Sequence, residues 1–472
     1  MANKDEKFVG IQITPISFVD EGVAPLLDML TERFGINVLM VGTISWLGLL
    51  VGRRISWKLE GWPDHGVPEP YALKGGSYIG FHPEYYKNTF IRGFQATDPE
   101  LADKDILETV IPEARKRGMQ IYPWVMEPLF KYVGHGSTNY VNIPNLPQVL
   151  EVDLFNRFSQ EPCINNPAYR TWWYSIIEDY CRNYDIDGIS WCNERRSPLD
   201  NVLAGRVPNC FCQYCRREAS ERGVDVERVK LAYKELYDYV QKAQAGVEFV
   251  DGALIEFLRV LYYNPEVLLW ERYWVERNKD LDRELYGIVK WCNADLKFGL
   301  NVWNRNHFNP LRKAQWPWAE TAEWCDWVKP IMYQHQAGGI YVNEMTNLHK
   351  SILRDLTPQE LTPVMYKILR LNEAPWDDLI QQGMDADTYV YGQCSDVVRA
   401  VNGKVDVYMG VGVDAPRSRA DQAMCTPDIV RRSVLAAYRA GAKGIILSPA
   451  YAGMNLSNLD GAAEALKELG LK

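Results

Sequence analysis

The sequence predicts an α/β fold, a (β/α)8 TIM barrel with long βα-loop insertions. Three observations predict it: eight nearly unbroken apolar runs, amphipathic helical segments between them, and glycines or capping residues at the joints. Parallel strands covered on both faces read as continuous apolar runs, because neither face meets water. A chain of 472 residues is long for one domain, yet barrels of this class run as a single unit well beyond about 250 residues.

"FVGIQITP" (8–15) reads as the first strand, "EGVAPLLDMLTERFG" (21–35) as a helix closing on Gly35, and "INVLMVGT" (36–43) as the second strand. "DKDILETVIPEARKRG" ends on Gly118 and feeds "MQIYPWVM" (119–126). Asn166 and Pro167 open a helix whose apolar positions are Tyr169, Trp172, Trp173, Ile176, Ile177 and Tyr180, and which leads into "IDGISWCN" (186–193). After a long helical stretch come "KFGLNVWN" (297–304) and "WVKPIMYQ" (327–334), then "DVYMGVGV" (406–413) and "GIILSPAY" (444–451). Thr426 and Pro427 cap the helix between the last two. Residues 1–472 thus form one barrel with insertions at 44–95, 127–165, 195–250 and 336–404. The first is rich in Gly, Pro and aromatics, the third is Cys-rich and helical, and the last is expected to act as a lid.

Bulk properties exclude several classes. The net charge is −9 with no Lys/Arg-rich block, which removes the electrostatic footprint nucleic acid requires. No window reaches about 18 consecutive apolar residues, so no membrane span is expected. The opening "MANKDEKFVGIQITP" lacks the apolar centre of a secretory signal, and the ten cysteines lie at uneven intervals. A cytoplasmic location with mostly reduced thiols is the expectation; a signal removed beforehand would make it periplasmic or secreted.

Barrel active sites lie at the C-terminal ends of the strands. Trp124, Glu127, Trp191, Asn193, Glu194, Asn301, Trp303, Tyr333, His335, Asp414 and Tyr451 fall at or just past those ends, whereas Asp187 begins the fourth strand and reads as a stability residue. Glu194 directly follows the fourth strand with Asn193 before it, so both are expected over the barrel mouth, where an acid can protonate a leaving group. Cys210, Cys212 and Cys215 follow in a C-x-C-x2-C spacing that suits thiolates around one tetrahedral ion. Cys163, in the loop leaving the third strand on the same rim, is the best fourth ligand; Cys181 and Cys192 lie on a helix and within a strand. A closed four-thiolate site would hold zinc structurally.

An Asn-Glu pair ending the fourth strand, followed by C-x-C-x2-C with a further cysteine upstream, resembles the family 42 β-galactosidases of glycoside hydrolase clan A. "ARKRGMQIYPWVMEP" and "YDIDGI" are similar to the third and fourth strands of barrel families described as hypothetical glycosyl hydrolases. The resemblance implies glycosidase activity on a carbohydrate substrate, Asn193 and Glu194 as the acid/base pair, Cys163, Cys210, Cys212 and Cys215 as ligands of a structural zinc, and a homo-oligomer. The chain departs from that pattern at the seventh strand, where the family carries a nucleophilic Glu and "DVYMGVGVDAPRSR" offers only Asp414. Glu127 and Glu344 are the other candidates for the second carboxylate. A separation of about 5–5.5 Å from Glu194 would mean retention, and one of about 6.5–9.5 Å inversion.

In the mechanism so expected, Glu194 keeps its proton against Trp191 while Asp414, near Arg417 or Tyr333, stays ionised. Trp124, Trp191 and Trp303 would stack on a sugar ring, and Asn301, His335 and His82 would bind hydroxyls. Two other classes compete: a lyase or isomerase acting on an oxidised sugar, with Glu194 or His335 abstracting a proton, and a sugar-binding barrel without chemistry.

Overall fold

The computed structural model describes residues 7–46, 75–127, 145–416 and 420–472. Eight parallel strands close into a barrel: β1 (Phe8–Ile13), β2 (Val38–Gly42), β3 (Gln120–Glu127), β4 (Gly188–Asn193), β5 (Lys297–Val302), β6 (Trp327–Met332), β7 (Asp406–Gly412) and β8 (Gly444–Ser448). Each pairs with the next, and β8 returns to β1 through Phe8 opposite Gly444. All eight correspond to the apolar runs of the sequence.

Helices cover the outside, and local chemistry starts them where expected. Asn166 Oδ1 accepts the Ala168 N–H at 3.0 Å to open the helix Pro167–Asn183, and Thr426 Oγ1 accepts the Ile429 N–H at 3.3 Å to open Pro427–Arg439. At the N-terminal pole Asp187 Oδ2 accepts from the Ile121 N–H at 2.7 Å and from Arg115 at 2.8 Å, tying β3 to β4.

Residues 47–74 and 128–144, which carry much of the first two insertions, lie outside the described residues, as does Arg417. Residues 150–152 and 158–162 form an antiparallel ribbon. The third insertion holds the helices Pro198–Leu203, Gln213–Glu221 and Val226–Gln244. The fourth is helical; Gln334–His349 and Tyr391–Val401 pack on β7. None of the helices among the described residues is long and apolar enough to cross a membrane.

The barrel interior has two tiers. Towards the N-terminal pole Phe8 stacks on Tyr408 with ring centroids 3.7 Å apart, and Trp327 meets Phe8 and Tyr122 across the axis. Gly299 is required there, because a Cβ would sit 1.9 Å from the Trp327 ring. Val38, Met40, Trp124 and Ile446 complete this plug. Above it the side chains turn polar.

Candidate active site at the C-terminal mouth

Strand alternation decides which residues reach the axis. On β4, Ser190, Cys192 and Glu194 share the inner face, while Trp191 and Asn193 point outwards. Glu194 is half-buried; the Cys192 thiol donates to its Oε1 at 3.4 Å, and its backbone N–H is held by the Glu127 carbonyl at 2.9 Å. From β6, Lys329 enters the same tier fully buried, donating from Nζ to Gln12 Oε1 at 2.9 Å and Ser448 Oγ at 2.6 Å. Burial pushes the Lys329 amine down to about 7, against the opposing pull of Cys192 and Glu194. Tyr333 caps the tier; burial raises its phenol, with the charge of Glu194 adding to the effect. Gly412 admits it, because a Cβ there would lie 2.6 Å from that of Tyr333. Asn301 is buried beside β4 and donates to Ser190 Oγ at 3.0 Å and the Trp191 carbonyl at 2.8 Å.

Several predicted site residues fall elsewhere. Trp191 is fully buried behind β4, with its Nε1–H on Asp282 at 2.8 Å and its ring edge-on to Trp173, so it offers no face to a sugar and does not line Glu194. Asn193 turns the same way and donates to Asn278 at 3.4 Å. Burial, countered by hydrogen bonds from Trp191 and Asn193, leaves the Asp282 carboxyl pushed up to about 7. Glu127 also faces outwards and is completely buried, receiving Tyr169 at 2.8 Å and a two-pronged ion pair from Arg195. Asp414 has φ +50° and turns its carboxylate to the last helix, accepting from the Asn455 N–H at 2.8 Å and from Asn458 at 2.9 and 3.0 Å. Glu344 is buried in an ion pair with Arg305. Asp414 and Glu127 are thus engaged away from the axis, and Glu344 is taken up by Arg305.

His82 lies on the flank, bonded at 2.7 Å to the buried Asp179 of the helix Pro167–Asn183, and does not reach the mouth. Trp124 is 6% exposed and belongs to the interior plug; it lines a small cleft with Thr14, Gly42 and Tyr78. His335 is buried in the first turn of the helix after β6. Trp303 remains half-exposed at the end of β5. The register pairs Asn193 with Val302, so Trp303 and Glu194 each follow the last paired residue of neighbouring strands. Three guanidiniums approach the Trp303 ring: Arg312 at 4.7 Å, Arg305 at 5.1 Å and Arg196 at 5.8 Å from its centre.

Cys163, Cys210, Cys212 and Cys215 come together, all buried, with their sulfurs within 4.8 Å of one another. Cys163 lies 3.5 Å from both Cys212 and Cys215, close to the separation of about 3.8 Å that a tetrahedral zinc with Zn–S bonds of about 2.3 Å imposes. N–H groups of Val152 and Cys212 reach Cys210, and the Asn165 amide reaches Cys215 at 3.2 Å; such donors favour thiolates. The donor set fits a closed structural ion. The cluster joins the ribbon after β3 to the loop after β4.

Sequence reasoning missed Lys329, Gln12, Ser448 and the arginines around Trp303. A lysine within the apolar run "WVKPIM" is itself a signal, since a lysine seldom sits fully buried without a partner. The pair Arg195–Arg196 directly after Glu194 is another.

No family model matches the sequence, and no curated protein is similar to it. Among solved structures, β-galactosidase from the haloarchaeon Halorubrum lacusprofundi is similar at TM-score 0.53 and 14% identity, over 98% of this chain and 58% of that one. The enzymes from Rahnella sp. R3 (TM-score 0.52, 14% identity, 99% of this chain and 57% of that one) and Marinomonas ef1 (0.51, 11%, 98% and 61%) behave alike. The chain spans about three-fifths of the length of each of these relatives. At such identities the likeness establishes the architecture: the chain is a closed (β/α)8 barrel of the kind on which these β-galactosidases are built.

Proposed function

We propose that the protein is a glycoside hydrolase with Glu194 as its proton donor. The supporting observation is one carboxylate on the axis side of a strand end at the C-terminal mouth, half-buried between a thiol, a desolvated amine and a tyrosine. Such surroundings suit a group that gives and recovers a proton. The shared barrel of the β-galactosidases supports a carbohydrate substrate, and Trp303, half-exposed at the neighbouring strand end, supplies an aromatic face for a ring. Zinc is the ion we assign to the four cysteines, in a bracing role only.

A second reading is favoured by the engagement of Asp414, Glu127 and Glu344 with partners of their own. With Glu194 and Lys329 together at the mouth, Glu194 would abstract a proton next to an oxidised sugar carbon, and the bond to the leaving group would break by elimination. Glu194→Gln tests both. Turnover on oligosaccharides should fall by about 10²–10⁴-fold with fold and zinc content unchanged. Hydrolysis releases saturated reducing sugars, whereas elimination leaves an ultraviolet-absorbing unsaturated ring. Parent-like rates in the variant would remove Glu194 from the chemistry and leave a sugar-binding barrel.

A further inference from the structure

The loops after β4 and β5 gather three arginines, Arg196, Arg305 and Arg312, around one half-exposed tryptophan, and a fourth, Arg206, feels the charge of Arg196. Arg196 and Arg312 both use Asp200, at 3.3 and 2.9 Å, so one carboxylate is divided between two guanidiniums. Arg312 is held further by the Arg195 carbonyl at 3.1 Å and Asn306 at 3.2 Å. Arg305 pairs with the buried Glu344. Arg206, carried past the helix Pro198–Leu203, is exposed and has no ion pair among the described residues, although Arg196, Asp200, Glu161 and Glu344 all act on it. Glu161 lies 3.9 Å from Arg195, behind the cluster. Burial, followed by the charge of Arg196, lowers both Arg206 and Arg305, as expected where cations crowd each other.

A guanidinium kept near like charges, with no carboxylate of its own, gains most from an anion brought by a ligand. The anion would dock against Trp303, at the end of the strand that pairs with the one Glu194 follows. We propose that the mouth takes acidic sugars, whose ring bears a carboxylate or a sulfate ester, and that Arg206 with Arg196 and Arg305 holds that anionic group over Trp303. This rests on reading the mouth as a sugar site, though not on which reaction Glu194 performs. The four-cysteine cluster serves the same end: the Phe211 N–H bonds the Val152 carbonyl at 2.7 Å, fixing the loop that carries Arg206 to the ribbon after β3.

Binding is best measured by calorimetry in the Glu194→Gln background, so that turnover does not interfere. The probes are glucuronate- and galacturonate-containing oligosaccharides with their carboxyl-reduced counterparts, and sulfated oligosaccharides with their desulfated counterparts. At least one acidic series should bind more tightly than its neutral partner, and the series that does identifies the substituent. Arg206→Ala should weaken that binding roughly ten- to hundredfold, the range for a hydrogen bond to a charged group, and leave the neutral counterpart unchanged. Arg206→Lys should restore part of the loss. Equal affinity for acidic and neutral sugars, or an Arg206→Ala variant that binds the acidic probe like its parent, would overturn the inference while leaving the sugar site intact. Failure of every probe to bind would overturn it together with the reading of the mouth as a sugar site.

Discussion

Two buried cations flank Glu194, and their surroundings differ. Arg195, behind β4, is enclosed by Glu127, Glu151 at 3.0 Å, and the phenol of Tyr169 on Glu127, so its charge is matched and every prong of its fork is used. Lys329, inside the barrel, hydrogen-bonds the neutral oxygens of Gln12 and Ser448 and is driven by burial towards its uncharged form. The first arrangement is one a protein builds to hold two loops together. The second keeps a titratable amine near neutrality next to the Glu194 carboxylate, a condition that favours proton traffic over rigidity. Burial alone therefore does not separate structural from functional charge; the number and sign of the partners does.

The largest effect should come from the support of the first cluster. Cys212→Ser removes one of four thiolates from a site whose ion contributes folding energy directly, so zinc measured by metal analysis should fall below one equivalent and the thermal midpoint should drop by many degrees. Asn209 reaches from this cluster to Glu151, so the Arg195 group should loosen with it. Parent-like zinc in the variant would refute the four-thiolate site.

Next in size is the cluster itself. Arg195→Met leaves Glu127 and Glu151 buried without their cation, which should cost about 3–5 kcal/mol in urea denaturation. A loss under about 1 kcal/mol would mean that the two carboxyls are protonated without the arginine, and the contrast with Lys329 would fade. For Glu151 burial already raises the carboxyl well above the usual range, with Arg195 opposing that rise.

The legibility of this molecule in its sequence follows the same division. All eight strands were readable, because burial on both faces leaves an apolar run that needs no partner to be recognised. The cysteine site was readable from spacing, since three of its ligands lie within six residues. Facing was not read. Sorting residues by pole put Glu127, Trp191, Asn193 and Glu194 in one group, yet the two-residue period sends the first three outwards and only Glu194 inwards. Ser190 and Cys192 lie on the inner face of β4, and counting on from them by twos reaches Glu194. Asp414 escaped even that rule, because its left-handed backbone ends the alternation one residue beyond Val413. The arginines around Trp303 come from segments more than a hundred residues apart, and nothing local joins them.

The smallest predicted effect is the most diagnostic of the difference between the two cations. Lys329 is charged in the unfolded chain up to its ordinary value of 10.5 but releases its proton near 7 when folded, with Cys192, Glu194 and Tyr333 the titratable groups around it. Between those two values the unfolded state binds more protons than the folded state, so this lysine makes stability rise with pH; below about 7 both states hold the proton and the full cost of burying the charge is present. Between pH 7 and 9 the parent should therefore gain about 2–3 kcal/mol relative to Lys329→Met, measured by urea denaturation at each pH. The loss of hydrogen bonds to Gln12 and Ser448 shifts the variant by a constant and drops out of that difference. Parallel curves for the parent and Lys329→Met would show an amine charged at both pH values, and with it an axis as electrostatically settled as the cluster behind β4.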